Sequence, residues 1–111
     1  MSNAYVEKLL ARRAILLKEL STLSHLIHGS WFERYSTCSR PNCSCHTGNR
    51  HGPRHYLVVQ EEGRQRQKYV PKSQVSAALK GIEQYHRLQE IVEEITQINL
   101  ALMKERAYER S

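Results

Sequence analysis

Between residues 4 and 28 the apolar positions Val6, Leu9, Leu16, Leu20, Leu23 and Ile27 recur at steps of three and four, and Leu10, Ile15, Leu17 and Leu26 widen the stripe. That spacing predicts an amphipathic helix over 4–28. Arg13 falls on the stripe and breaks it. Asn3 is placed to cap the start, and Glu7 suits the positive end of the helix dipole. His28-Gly29 is a plausible stop, a cation followed by a residue free to take positive φ.

A second helix is predicted over 72–108. Val75, Ala78, Ile82 and Tyr85 are spaced 3-4-3, and Leu88, Ile91, Ile95, Ile98 and Leu102 are spaced 3-4-3-4. The three-residue step from Tyr85 to Leu88 shifts the phase, as in coiled coils. Pro71 fits the helix start, with Ser73 as an alternative cap. At 1.5 Å per residue the second helix would be about 55 Å long and the first about 37 Å. Folded back as an antiparallel pair, the short helix leaves the apolar face from Ile95 to Leu102 uncovered. A homodimer through the long helix is the expectation that follows.

Between the helices, over 29–71, a Gly/Pro/Cys/His-rich stretch precedes a β-hairpin. Tyr56 to Gln60 reads as one strand, Glu62-Gly63 as the turn and Gln65 to Val70 as the return strand. Because strand side chains alternate, Arg64, Arg66 and Lys68 share one face, and Gln65, Gln67 and Tyr69 the other. The expected fold is mostly α with a small β-hairpin, forming a single domain over 1–111. Two long antiparallel, coiled-coil-like helices are joined by a zinc-knuckle and β-hairpin module.

Charge changes the picture at one place. The chain of 111 residues has a formal net charge of +6. From Arg34 to Lys72 eight basic residues stand against two acidic ones, Glu61 and Glu62, while the remainder is balanced. A concentrated positive segment attracts polyanions, with nucleic acid the commonest. No apolar run approaches the roughly 20 residues needed to cross a bilayer, so no membrane partner is expected. Met1-Ser2-Asn3-Ala4 leads into a charged amphipathic stretch rather than an export signal, which makes a cytoplasmic, reducing location the expectation.

All three cysteines fall within the string Cys38-Ser-Arg-Pro-Asn-Cys43-Ser-Cys45, and His51 follows at C-x4-C-x-C-x5-H spacing. An odd number of clustered cysteines argues against a disulfide framework and for a metal. Zinc takes four tetrahedral ligands, and three thiolates with one imidazole is a common structural set. Cys38, Cys43, Cys45 and His51 are the expected ligands of one structural Zn2+. His46 adjoins Cys45, where simultaneous chelation is awkward, and His55 is the next alternative. A Cys43–Cys45 redox pair lacks both the C-x-x-C spacing and the helix N-terminus such sites use.

The run Tyr35-x-x-Cys38-x-x-x-x-Cys43-x-Cys45, then His51-Gly52-Pro53-x-x-Tyr56-Leu57, then Tyr69-Val70-Pro71 before a long helix, resembles a small uncharacterised prokaryotic family. Its members are often encoded near transposases and other mobile elements. The resemblance covers roughly Gly29 to Leu102, with His55 standing where members usually carry an aromatic residue. It implies helix, Cys/His knot, hairpin and long helix, and lends a mobile-element context to a nucleic-acid role.

The function expected from these residues is a small zinc-binding, nucleic-acid-binding accessory or regulatory protein. Arg40, Arg50, Arg54, Arg64, Arg66, Lys68 and Lys72 are the expected contacts to DNA or RNA, neutralising phosphates and reading base edges. Trp31, Tyr35, Tyr56 and Tyr69 are able to stack on bases, though packing the hairpin onto the helices is the plainer role for each. The alternative is a protein-interaction adaptor working through the long helix. No H-E-x-x-H, P-loop or Gly-x-Ser-x-Gly motif is present, so no catalytic residue is expected and the chain is read as a non-enzyme.

Overall fold

The computed structural model describes residues 3–36 and 51–110. In chain order these form helix α1 (Ala4–Leu20), strands β1 (Gly29–Ser36), β2 (His51–Glu61) and β3 (Arg64–Val70), a 3-10 turn (Lys72–Gln74) and helix α2 (Val75–Lys104). Both expected helices are present. The expected hairpin is β2–β3, and it belongs to a three-stranded antiparallel sheet of order β1-β2-β3. The chain divides into two compact units. One runs up to Leu26 and resumes at Glu83, and the other is Ile27–Ile82.

In the helical unit, α1 stops eight residues before the predicted end. Ser21 Oγ donates to the Lys18 carbonyl at 2.6 Å, and Thr22 Oγ1 to the Glu19 carbonyl at 2.7 Å. Hydroxyls that capture nearby carbonyls compete with the helix ladder, so a Ser-Thr pair ends it where apolar spacing alone would continue. At the other end Asn3 caps through its backbone carbonyl, which accepts from Glu7 N–H at 2.8 Å, and not through its side chain.

The two helices pair antiparallel within this unit. Arg87 of α2 holds Glu19 at the end of α1, Nη2 to Oε1 at 2.7 Å, Arg12 grips Glu94 with two nitrogens, and Arg110 reaches Glu7 at 2.9 Å. Leu16, Ile91 and Leu102 are fully buried, joined by Val6, Ile98 and Ala107, with Leu9, Leu10, Leu23 and Ile95 packed against them. The face from Ile95 to Leu102 is therefore closed inside the chain, contrary to the expectation of an uncovered stripe. Ending α1 at Leu20, beside Arg87, slides its start along to Leu102 and Ala107. Arg13, the break in the stripe, is half-buried and hydrogen-bonds Asn99 Oδ1 at 2.7 Å and the Arg110 carbonyl.

Helix α2 ends in a Schellman motif. Arg106 takes the left-handed conformation at φ 56°. Its N–H bonds the Met103 carbonyl at 3.1 Å, and the next N–H, of Ala107, bonds the Leu102 carbonyl at 2.8 Å. The two apolar residues that usually touch in this motif, here Leu102 and Ala107, are both in the core.

The second unit adds a strand, β1, that the sequence pattern does not announce. Its partner register with β2 begins at Gly29↔Val59 and reaches Ser36↔His51, with an irregularity between Arg34 and Ser36. Gly29 serves close approach rather than a helix cap: a Cβ there would lie 2.9 Å from the Val58 carbonyl oxygen and 2.9 Å from Val59 Cγ1. The β2–β3 turn is Glu62-Gly63, as expected, with φ of 50° and 76°. Two positive φ values in a two-residue loop match the right-handed twist of the flanking strands. Val70 and Ala78 are buried in this unit.

Candidate nucleic-acid interface

Directly paired residues of neighbouring strands share a face, so register sorts the sheet into two surfaces. On one, Phe32 of β1, Tyr56 of β2 and Tyr69 of β3 are consecutive cross-strand partners. Ring centroids are 6.3 Å apart for Phe32–Tyr56 and 5.9 Å for Tyr56–Tyr69, tilted in the first pair and edge-on in the second. Offset and edge-on arrangements of this kind are the favoured ones. The Arg34 guanidinium lies 5.8 Å from the centroids of both Phe32 and Tyr56, within cation–π range. Arg54 pairs with Arg34, Ser30 and Gln67 flank Val58, and Gln60 pairs with Gln65. No carboxylate stands among these described strand residues.

Exposure differs from ring to ring along the aromatic row, and Tyr56 in its middle is half-buried. Tyr69 is 60% exposed and Phe32 39%, whereas Val70, the neighbour of Tyr69 on the opposite surface, is 5% exposed. The packing role expected for Tyr35 and Tyr69 is not what the structure shows, since both are exposed.

The second surface carries Arg64, Arg66 and Lys68, as the alternation predicted, but it also carries acid. Glu61 Oε1 lies 2.8 Å from Lys68 Nζ and 3.8 Å from Arg66 Nε. The hydrogen bond from Lys68 holds the Glu61 carboxyl below its ordinary value, with the nearby charges of Lys68 and Arg66 acting in the same direction. Further along, Trp31 faces His55 with ring centroids 5.4 Å apart, and Glu33 Oε1 is 3.7 Å from His55 Nε2 and 3.4 Å from Trp31 Nε1.

The expected contact residues are thus separated by the sheet. Arg54 stands on the aromatic surface, and Arg64, Arg66 and Lys68 stand on the other. Lys72 begins the 3-10 turn beyond β3. Arg40 and Arg50 lie outside the described residues, as do Cys38, Cys43 and Cys45. His51 opens β2 opposite Ser36, so the two ends of the intervening 14 residues, 37–50, are held on adjacent strands. His55, the alternative ligand, lies beside Trp31 and Glu33 on the second surface. Phe32 and Arg34 were missed as interface residues. Period-two geometry puts both on one face of β1, and the β1–β2 register sets that face beside Tyr56.

A family profile matches residues 6–80, more than half of the chain. The chain belongs to the family described as Domain of unknown function (DUF6788). The DUF6788 match takes in α1 from Val6 onward, every strand of the sheet and the start of α2, so the whole aromatic surface lies inside the family's span. It agrees with the resemblance to an uncharacterised family. No curated protein and no solved structure matches this DUF6788 chain. Among the described residues no helix is long and apolar enough to cross a membrane.

Proposed function

We propose that this DUF6788 protein is a non-enzymatic nucleic-acid-binding accessory protein, with the Ile27–Ile82 unit as its binding element. The carrying observation is that the boundary between compact units is also a boundary in charge. Ile27–Ile82 holds nine basic residues and three acidic ones, while the helical unit holds equal numbers of each. The whole excess of +6 therefore belongs to the unit that bears the sheet. Cations confined to one unit neutralise phosphates and release counterions, which gives affinity that falls steeply with salt. The mobile-element setting implied by the resemblance suits such a role. Fluorescence anisotropy with labelled DNA and RNA at about 50 and 200 mM salt tests it. Absence of binding to every single-stranded and duplex probe at the lower salt would end the proposal.

A structural zinc held by Cys38, Cys43, Cys45 and His51 belongs to the same proposal. Three thiols and an imidazole are a suitable donor set, and the Ser36–His51 pairing fixes the strand ends that flank the cysteine segment. Bound there, zinc would supply folding energy rather than chemistry. Protein purified without added metal should contain close to one equivalent. Less than about a tenth of an equivalent in folded, reduced protein would reject the site.

A second reading, the protein-interaction adaptor, draws on α2. Val92, Leu100 and Met103 are about half exposed and fall within one arc of the helix. A homodimer through the long helix would use these side chains, because Ile98 and Leu102 are buried within the chain. Pull-downs that survive nuclease treatment, or a dimer in sedimentation at micromolar concentration, would favour it.

A further inference from the structure

We infer that the nucleic acid is taken as a single strand, laid across the surface of Phe32, Tyr56 and Tyr69, with Arg34 and Arg54 meeting its phosphates. The inference rests on the nucleic-acid reading and specifies its ligand. Three observations on the sheet carry it.

The first is the chemistry of the two surfaces. Both carry arginine, but one pairs its cations with an internal carboxylate and the other does not. Glu61 is bound to Lys68 and close to Arg66, so part of that surface's positive field is spent within the protein. The aromatic surface offers Arg34 and Arg54 with amides at Gln60, Gln65 and Gln67, and no acid among its described strand residues. A polyanion is repelled by a carboxylate and attracted by uncompensated guanidinium groups, which favours the aromatic surface.

The second is the exposure of the rings. Tyr69 is 60% exposed and Phe32 39%, with Tyr56 half-buried between them, so apolar ring surface left open to water on this sheet calls for an occupant. Every base has a π-face, and stacking on aromatic side chains is how proteins hold single strands without reading sequence. Bases in a duplex are already stacked on one another and expose only their edges. Rings spread across a three-stranded sheet therefore match splayed bases and not a double helix.

The third is geometry. One ring stands on each strand, so the row crosses the sheet, and neighbouring centroids are 5.9 and 6.3 Å apart. Single-stranded backbone is extensible, and bases can spread to such intervals once unstacked. The Arg34 guanidinium lies 5.8 Å from the centroids of both Phe32 and Tyr56, within reach of a phosphate linking bases stacked on the row. The amides of Gln60, Gln65 and Gln67 supply both donors and acceptors for base edges.

The test uses the full chain and three fluorescein-labelled probes of one sequence: 20-mer single-stranded DNA, the same RNA, and the DNA duplex. Anisotropy at about 50 mM salt is expected to show a single strand bound at least tenfold tighter than the duplex. Tyr69→Ala should weaken single-strand binding about tenfold, Tyr69→Phe should restore it, and Lys8→Ala on α1 should leave it unchanged. Circular dichroism and Trp31 fluorescence establish that each variant is folded. Arg34→Ala should weaken binding and reduce the slope of log K against log salt by about one phosphate's worth. Tighter binding of the duplex, or loss with Arg66→Ala but not Tyr69→Ala in folded proteins, would overturn this inference and leave the nucleic-acid reading standing. Failure of all three probes to bind the wild-type chain would overturn both.

Discussion

Replacing Gly29 with alanine is expected to act against the usual direction. In a strand, Gly→Ala at a compatible site stabilises by about 0.4–1 kcal/mol, because the unfolded chain has fewer conformations to lose. At Gly29 the new Cβ would stand 2.9 Å from the Val58 carbonyl oxygen and 2.9 Å from Val59 Cγ1. Val59, on the central strand, is the direct cross-strand partner of Gly29, so its methyl stands where the new Cβ would go. The carbonyl is worse, since moving it means moving β2. Relieving such contacts requires a few tenths of an ångström of strand separation, and overpacking of this kind costs about 1–3 kcal/mol. The net expectation is a loss of about 1–2 kcal/mol. Trp31, the single tryptophan of the chain, lies two residues along β1, so its fluorescence reports this sheet directly. Urea titration should give a lower midpoint for Gly29→Ala with an unchanged slope. An equal or higher midpoint would show that β1 and β2 tolerate the extra methyl, and the close-approach argument would be wrong.

Arg106→Gly should stabilise the helical unit by about 0.5–1 kcal/mol, because glycine takes the left-handed cap position without the penalty a side chain carries. Arg106→Ala, which keeps the penalty, is the control, and equal melting points for the two variants would refute the cap reasoning. Leu16→Ala should cost about 3 kcal/mol, measured by denaturant titration followed at the helical band, as Leu16 is fully buried in the core cluster. Acid should weaken the helix pair. The hydrogen bond from Arg87 lowers the Glu19 pKa, and that from Arg12 lowers the Glu94 pKa. A carboxyl depressed in the folded state stabilises above its unfolded value and loses that contribution as pH falls through the folded value. Melting points should therefore be flat near neutrality and fall below about pH 4.5, and Glu19→Gln should flatten part of that fall.

Much of the fold was legible because its signals were local. Alternation placed β2 and β3, Glu62-Gly63 announced a turn that demands positive φ, and the heptad spacing marked both helices. Three features were hidden. The end of α1 depended on the hydroxyls of Ser21 and Thr22, which an apolar stripe continuing to Ile27 masks. The covering of Ile98 and Leu102 depended on that same ending, because it decides where α1 starts along α2. Strand β1 shows no alternation of apolar with polar residues, since Trp31 and Phe32 are adjacent and face opposite surfaces. Without β1, Phe32 and Arg34 had no place beside Tyr56, and the aromatic row looked like scattered core residues. The charge excess was readable from composition, but its split by the sheet, with Glu61 against Lys68 on one side only, needed the register.

The Ser36–His51 partnership has a consequence for how this fold can vary. The six pairs from Gly29↔Val59 to Arg34↔Arg54 are made without residues 37–50, so that segment is the one to exchange as a cassette. Changing the cassette's length is expected to leave those six pairs in place. A chain in which a two-residue Asn-Gly turn joins Ser36 directly to His51 should keep the aromatic surface intact. Such a minimal version would separate what the cassette contributes from what the sheet does unaided.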